Sequence, residues 1–340
     1  MTSHNMTWIS YPSKSQIFNS PEEIEAVITS QNIISRVMHC YIALFVPTGL
    51  IAGICVLIIF IKNHLQNKRV SLDLLLHFLY FTLSNIIMIF FSFTVISRPD
   101  YLTATHLACS VLSFFFNFGY FNSQYVFILT LFTLLLERFP PSTALCKATQ
   151  RPILCVGLVL SCTFCLSLTE AVLVGADNYH LEVHCQLDPL FAWPEYEIVK
   201  FIFGFGIPSL LQILCFTVLW AKEAPAGAPS LQQHIRTYAA VYTISATMFV
   251  CRLFYNVMIL FRTALKLQRS IGTTKNELVM NIAEIVLFCE SCASLVIILF
   301  LHKPCNVEVL KVIERCRRKT PANNHLEIPE SAPAIQSGSQ

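Results

Sequence analysis

The chain has 340 residues, of which 55% are hydrophobic and only 13% charged. A soluble domain carries about a quarter charged residues, so this composition excludes an ordinary soluble globular protein and points to the membrane. The net charge is only +3, and no basic stretch is interleaved with aromatics, so no nucleic-acid partner is expected. The fourteen cysteines are scattered, mostly inside apolar runs, without CxxC pairs at zinc spacing. No metal and no other cofactor is therefore expected.

Residues 1–37 are polar and hold no apolar core with a cleavage site. They read as an extracellular N-terminal tail, in which Asn5-Met6-Thr7 is a glycosylation sequon at Asn5. Seven apolar runs follow, at about 38–62, 71–96, 106–134, 152–175, 196–221, 237–261 and 279–301. Each is near the ~20 residues that cross the hydrocarbon as a helix. The expected fold is an all-α membrane protein, a seven-transmembrane helix bundle over residues 38–303. No repeated halves of the transporter kind are visible. Pro47 and Pro208 fall inside spans, where they predict kinks. The Pro- and Gly-containing stretch 222–229 reads as a turn-rich connector. Residues 304–319 carry Val307, Leu310 and Ile313 at helical spacing, with Lys311, Arg315, Arg317 and Arg318 towards the other side. This predicts a short amphipathic cytoplasmic helix on membrane lipid, with Cys305 and Cys316 as candidate palmitoylation sites. Residues 320–340 have the composition of a disordered tail.

Lys and Arg gather on the cytoplasmic side of short loops. With the N-terminus outside, the inner side holds fourteen of them and the outer side eight. The outer segment 262–275 runs against this rule, with Arg262, Lys266, Arg269 and Lys275 and no acid. This orientation suits a plasma-membrane protein. It also puts Cys109, at the start of the third span, and Cys185, in the loop before the fifth, on the oxidising face. A disulfide between them would tie that loop to the third span, with Cys40 as the only competitor.

Ionisable residues within spans are functional candidates because burying a charge in lipid costs several kcal/mol. Arg252 lies in span six, Glu284 and Glu290 in span seven, and Glu170 near the outer end of span four. Arg252 and Glu284 either form a buried ion pair or present charge to a ligand. Glu290 lies deeper. The third span interleaves Asn117, Asn122, Ser123 and Gln124 with Phe116, Tyr120 and other aromatics. Such amides commonly join membrane helices. No HExxH, paired aspartates or GxSxG suggests an enzyme.

Seven spans, an outer N-terminus, the Cys109/Cys185 pair, Gly206-Ile207-Pro208 and Gly49-Leu50-Ile51-Ala52-Gly53 together resemble rhodopsin-like (class A) G-protein-coupled receptors. Glu137-Arg138-Phe139-Pro140-Pro141, with Thr143, Arg151 and Cys155, is similar to the stretch after the third span in an orphan receptor of that family. The resemblance implies an unidentified extracellular ligand near Phe116, Asn117, Arg252 and Glu284. It also implies a heterotrimeric G protein or arrestin facing Leu134, Glu137 and Arg138. The chain departs from the family at its switch positions. Leu83 stands where an Asp is usual, and Thr133-Leu134-Leu135 falls where Asp-Arg-Tyr is usual, with Glu137-Arg138-Phe139 one turn later. Cys251 lies near the sixth-span proline position, and Ser294-Leu295-Val296-Ile297-Ile298 replaces Asn-Pro-x-x-Tyr. A receptor-shaped protein with little G-protein signalling (a decoy, scavenger or chaperone) is the alternative. A transporter fits less well.

Overall fold

In lipid a backbone can satisfy its polar groups only within itself, so long apolar runs fold as helices. The computed structural model describes residues 21–65, 72–96, 103–136, 151–173, 182–184, 192–223, 239–268 and 273–319. In chain order the helices are α1 (Pro21–Cys40), α2 (Val46–Leu65), α3 (Leu72–Ile96), α4 (His106–Leu136), α5 (Pro152–Leu173), α6 (Pro194–Phe201), α7 (Ile207–Glu223), α8 (Ala239–Leu267), α9 (Thr274–Leu301) and α10 (Lys303–Lys319). Two three-residue strands interrupt the pattern, β1 (Thr103–Thr105) and β2 (Glu182–His184). They pair antiparallel, with Thr103 opposite His184.

Six helical runs are long and apolar enough to cross a membrane: Ile28–Asn63, Ser110–Leu136, Ile153–Leu173, Pro194–Ala221, Ala239–Leu267 and Thr274–Leu301. The architecture is thus essentially all-helical and of the multi-pass membrane type. α3 is also 25 residues long, and its apolar described stretch is Phe78–Ser92.

Three expectations about boundaries change. Residues 21–37, read as part of a polar tail, continue the first span outward as helix. Ser30, Ile34 and Met38 recur every fourth residue and are buried, Ile34 and Met38 in the same cluster as Met280 and Ala283 of α9. One buried stripe is enough to hold an otherwise polar helix. α8 runs to Leu267 and α9 begins at Thr274, so both ends of the basic segment 262–275 are helix.

The expected kinks take the form of π-turns, Tyr41–Phe45 between α1 and α2 and Ile202–Gly206 between α6 and α7. Each ends two residues before a proline, Pro47 and Pro208. A proline within a helix has no N–H to donate, and its ring crowds the carbonyl four residues back. Widening the turn by one residue moves that carbonyl aside. The wide turns are closed by Val46 N–H to Tyr41 O and by Ile207 N–H to Ile202 O.

α4 is the central helix, packing against α3, α5 and α7, with most of its apolar stretch buried. Its row of Asn, Ser and Gln explains why: amides and hydroxyls are costly in lipid, so this helix takes the middle of the bundle. α5 is the opposite case, with Ile153, Leu154, Leu158, Leu168 and Val172 all exposed, a face suited to lipid tails. At Gly53 a Cβ would come within 2.8 Å of Ile86, so the absence of a side chain lets α2 approach α3 closely.

Candidate functional site

The charged groups of the bundle core lie in layers between α4, α6, α8 and α9. The first layer, at the C-terminal end of α8, joins α6 to α8 and α8 to α9. Glu197 is fully buried; its Oε1 lies 2.6 Å from Lys266 Nζ, and its Oε2 accepts from Thr263 Oγ1 at 2.8 Å. Lys266 also donates to the Ala192 carbonyl at 3.0 Å. Arg262 Nη2 meets Glu277 Oε2 at 3.0 Å. Two of the four basic residues in the segment 262–275 are therefore neutralised by acids from neighbouring helices.

One turn below Glu197 on α6, Lys200 is fully buried in a box of aromatic rings. Its Nζ lies 4.8 Å from the Phe116 ring centre, 5.3 Å from Tyr196, 5.5 Å from Tyr255 and 5.6 Å from Tyr120. The negative faces of such rings attract a cation, and more strongly without water. Lys200 also donates to Tyr196 Oη at 3.3 Å. Asn117 Nδ2 donates to the same oxygen at 3.1 Å and to Ser113 Oγ at 3.2 Å.

The next layer centres on Arg252. Its Nε donates to both oxygens of Glu290 at 3.0 Å, and Nη2 also meets Glu290 Oε1 at 3.0 Å. Nη1 donates to the Tyr120 carbonyl at 3.1 Å, and Nη2 to Ser123 Oγ at 2.9 Å. The guanidinium also covers the Tyr120 ring at 4.5 Å. Both partners are 2% exposed, so this is a dry, geometrically complete ion pair. Only such completeness offsets the desolvation of two charges.

Tyr120 connects the layers. Its hydroxyl accepts from Asn256 Nδ2 at 3.0 Å and donates to the Gly204 carbonyl of the π-turn at 3.3 Å. The approach is close: a Cβ on Gly204 would lie 2.3 Å from the Tyr120 ring. One side chain of α4 is thus wired to α8 and to the turn between α6 and α7.

Three of the four expected ligand-facing residues, Phe116, Asn117 and Arg252, come together around this core. The expected pairing of Arg252 with Glu284 does not occur; the carboxylate is that of Glu290. The two acids are six positions apart on one helix, about 9 Å along the axis and roughly 120° around it, so they cannot serve the same partner. Glu284 is half-buried farther out on α9. Lys200, Glu197, Tyr196 and Tyr120 were not singled out as site residues. The missed signal was the one that marked Arg252, since Glu197 and Lys200 lie inside the fifth apolar run, three residues apart.

Towards the other end, Leu134 is buried with Leu135 and Leu136 at the end of α4, while Glu137 and Arg138 lie outside the described residues. So do Asn5, all of Cys185, and the side chains of Cys109 and Cys316. Cys305 is fully buried, its sulfur 3.6 Å from His302 Nδ1, and burial pushes its thiol up to about 12. An acyl group on this sulfur would require α10 to move away from the bundle. Elsewhere on α10, Val307, Leu310 and Ile313 are exposed, and Glu308 bridges Lys62 at 2.9 Å and Lys311 at 2.8 Å. These two ammonium groups hold the Glu308 carboxyl down at about 2.

The sequence matches no protein-family model and no curated protein.

Proposed function

We propose that the chain is a seven-span receptor of the rhodopsin-like kind, with α3 as the remaining span. In this reading it sits in the plasma membrane with its N-terminus outside and passes a ligand signal to a G protein or arrestin. The observation that carries the reading is the Arg252 layer. A fully desolvated charge pair and Tyr120 join α4, α8, α9 and the α6–α7 turn in one hydrogen-bonded unit. Signalling by population shift needs an element with discrete arrangements that binding can bias, and such a unit either holds or breaks. The box around Lys200 lies directly above it, where an outer ligand could act on it. The β1–β2 pairing supports a Cys109–Cys185 bridge, since β2 ends one residue before Cys185 and β1 leads into the first turn of α4. α10, with its exposed apolar row and basic residues, is suited to lie on an anionic inner leaflet.

The buried Thr133, Leu134 and Leu135, where the family carries its G-protein switch, favour a second reading as a receptor-shaped protein with little G-protein turnover. One experiment separates the two. Basal G-protein activation and arrestin recruitment are measured in cells for wild type and Glu290→Gln, normalised to surface level. The signalling reading expects basal output to change at least 3-fold in the variant. Output equal to that of untransfected cells in both proteins would leave the second reading standing.

A further inference from the structure

The outer part of the fifth run is mechanically distinct from the rest of it. α6 is only eight residues long, and the Ile202–Gly206 π-turn separates it from α7. Eight residues cannot hold a helix by themselves, so its position depends on what grips it. Below, the π-turn has two carbonyls with the same difficulty. The N–H five residues beyond Phe203 and the N–H four residues beyond Gly204 would both belong to Pro208, which has none. α4 supplies both missing donors: Tyr125 Oη donates to the Phe203 carbonyl at 2.9 Å and Tyr120 Oη to the Gly204 carbonyl at 3.3 Å. Above, Glu197 is gripped by Lys266 and Thr263 of α8. Lys200, between these two grips, and Tyr196, next to the upper one, face the aromatic core.

We propose that α6 is a hinged flap over the Lys200 box, turning about the π-turn. The tyrosine hydroxyls latch its hinge and the Glu197–Lys266 pair latches its outer end. Glycine at 204 and 206 and proline at 208 give that turn a backbone with few fixed bonds, the composition of a hinge. Opening the outer latch exposes the lysine and its rings to a ligand, while the tyrosine latch reports the movement to α4 and α8. The flap stands on this geometry and not on whether the protein couples to a G protein.

The test uses lysine chemistry on the full chain in detergent. Lysines are reductively methylated with formaldehyde and cyanoborohydride, and the rate at each position is read by mass spectrometry. Exposed Lys62 and Lys311 serve as internal references. In wild type, Lys200 should be methylated far more slowly than either. A buried hydroxyl bond is worth a factor of about 5, so Tyr125→Phe should raise the Lys200 rate about 5-fold and Tyr120→Phe with Tyr125→Phe about 25-fold. Reference rates should not change. Bridging Glu197→Cys to Thr263→Cys with a short bis-methanethiosulfonate, which forms a disulfide to each thiol and releases methanesulfinate, should return the Lys200 rate in the Tyr125→Phe background to the wild-type value, and reduction should release it. The single Tyr125→Phe protein keeps the test decisive if the double variant does not fold. An unchanged Lys200 rate in Tyr125→Phe would overturn the flap. So would a raised rate that the bridge does not suppress, since that points to general loosening of the bundle.

Discussion

Removing the Glu290 carboxylate is the sharpest perturbation available. In Glu290→Gln, Arg252 keeps its bonds to the Tyr120 carbonyl and Ser123 Oγ but loses the one carboxylate that faces it among the described residues. Breaking a buried pair from one side costs about 3–5 kcal/mol, because the remaining charge stays buried. That corresponds to roughly 150-fold to 5,000-fold in the folded-to-unfolded ratio. Replacing both partners, as in Arg252→Met with Glu290→Met, should behave differently. The neighbours keep partners: Ser123 Oγ still donates to the Tyr120 carbonyl, and Asn256 still donates to Tyr120 Oη. With no charge left and similar volume restored, the double variant should lie within about 1 kcal/mol of wild type or above it. The assay is unfolding by SDS titration in mixed micelles, followed by tryptophan fluorescence, for wild type, both single variants and the double. The coupling energy of this cycle should be at least about 2 kcal/mol. Additive effects, or a Glu290→Gln protein as stable as wild type, would refute the view that the pair organises the core.

Gly204→Ala should destabilise the same core from the π-turn side. Its Cβ would lie 2.3 Å from the Tyr120 ring, an overlap that costs about 1–3 kcal/mol unless the ring moves and gives up its hydroxyl bonds; the same titration measures it. At the start of α10, burial lowers His302 to about 4, beside Phe60 and Phe78. The unfolded chain takes up this proton near pH 6.5 and the folded one does not, so this contribution to stability is complete above pH 6.5. It falls as pH drops towards 4, by at most about 1.4 kcal/mol per unit. His302→Phe should flatten the pH 4–6.5 limb of the melting profile relative to wild type; equal slopes would contradict a neutral buried imidazole.

Polarity along the chain was enough to locate the apolar helices, though not the polar helix over 21–37, and to assign the third apolar run a special character. A row of Asn, Ser and Gln among aromatics can be tolerated only away from lipid, and α4 accordingly occupies the centre. Pro47 and Pro208 also marked where the first and fifth runs depart from regular helix, because a missing N–H is a local property. The charge inside the sixth run marked Arg252 as important for the same reason.

Partnerships needed the folded chain. Arg252 could reach either acid of the seventh run by sequence distance, and only rotation about α9 selects Glu290 over Glu284. The basic segment 262–275 holds no acid of its own, and the fold brings Glu197 of α6 to Lys266 and Glu277, just past the segment's end, back to Arg262. Tyr120 and Tyr125 read as ordinary aromatic residues until α4 set their hydroxyls against the two carbonyls that Pro208 leaves without a donor. A residue's cost in lipid is written in its own chemistry, whereas the group that offsets the cost lies on another helix and depends on azimuth and depth, which no linear spacing specifies.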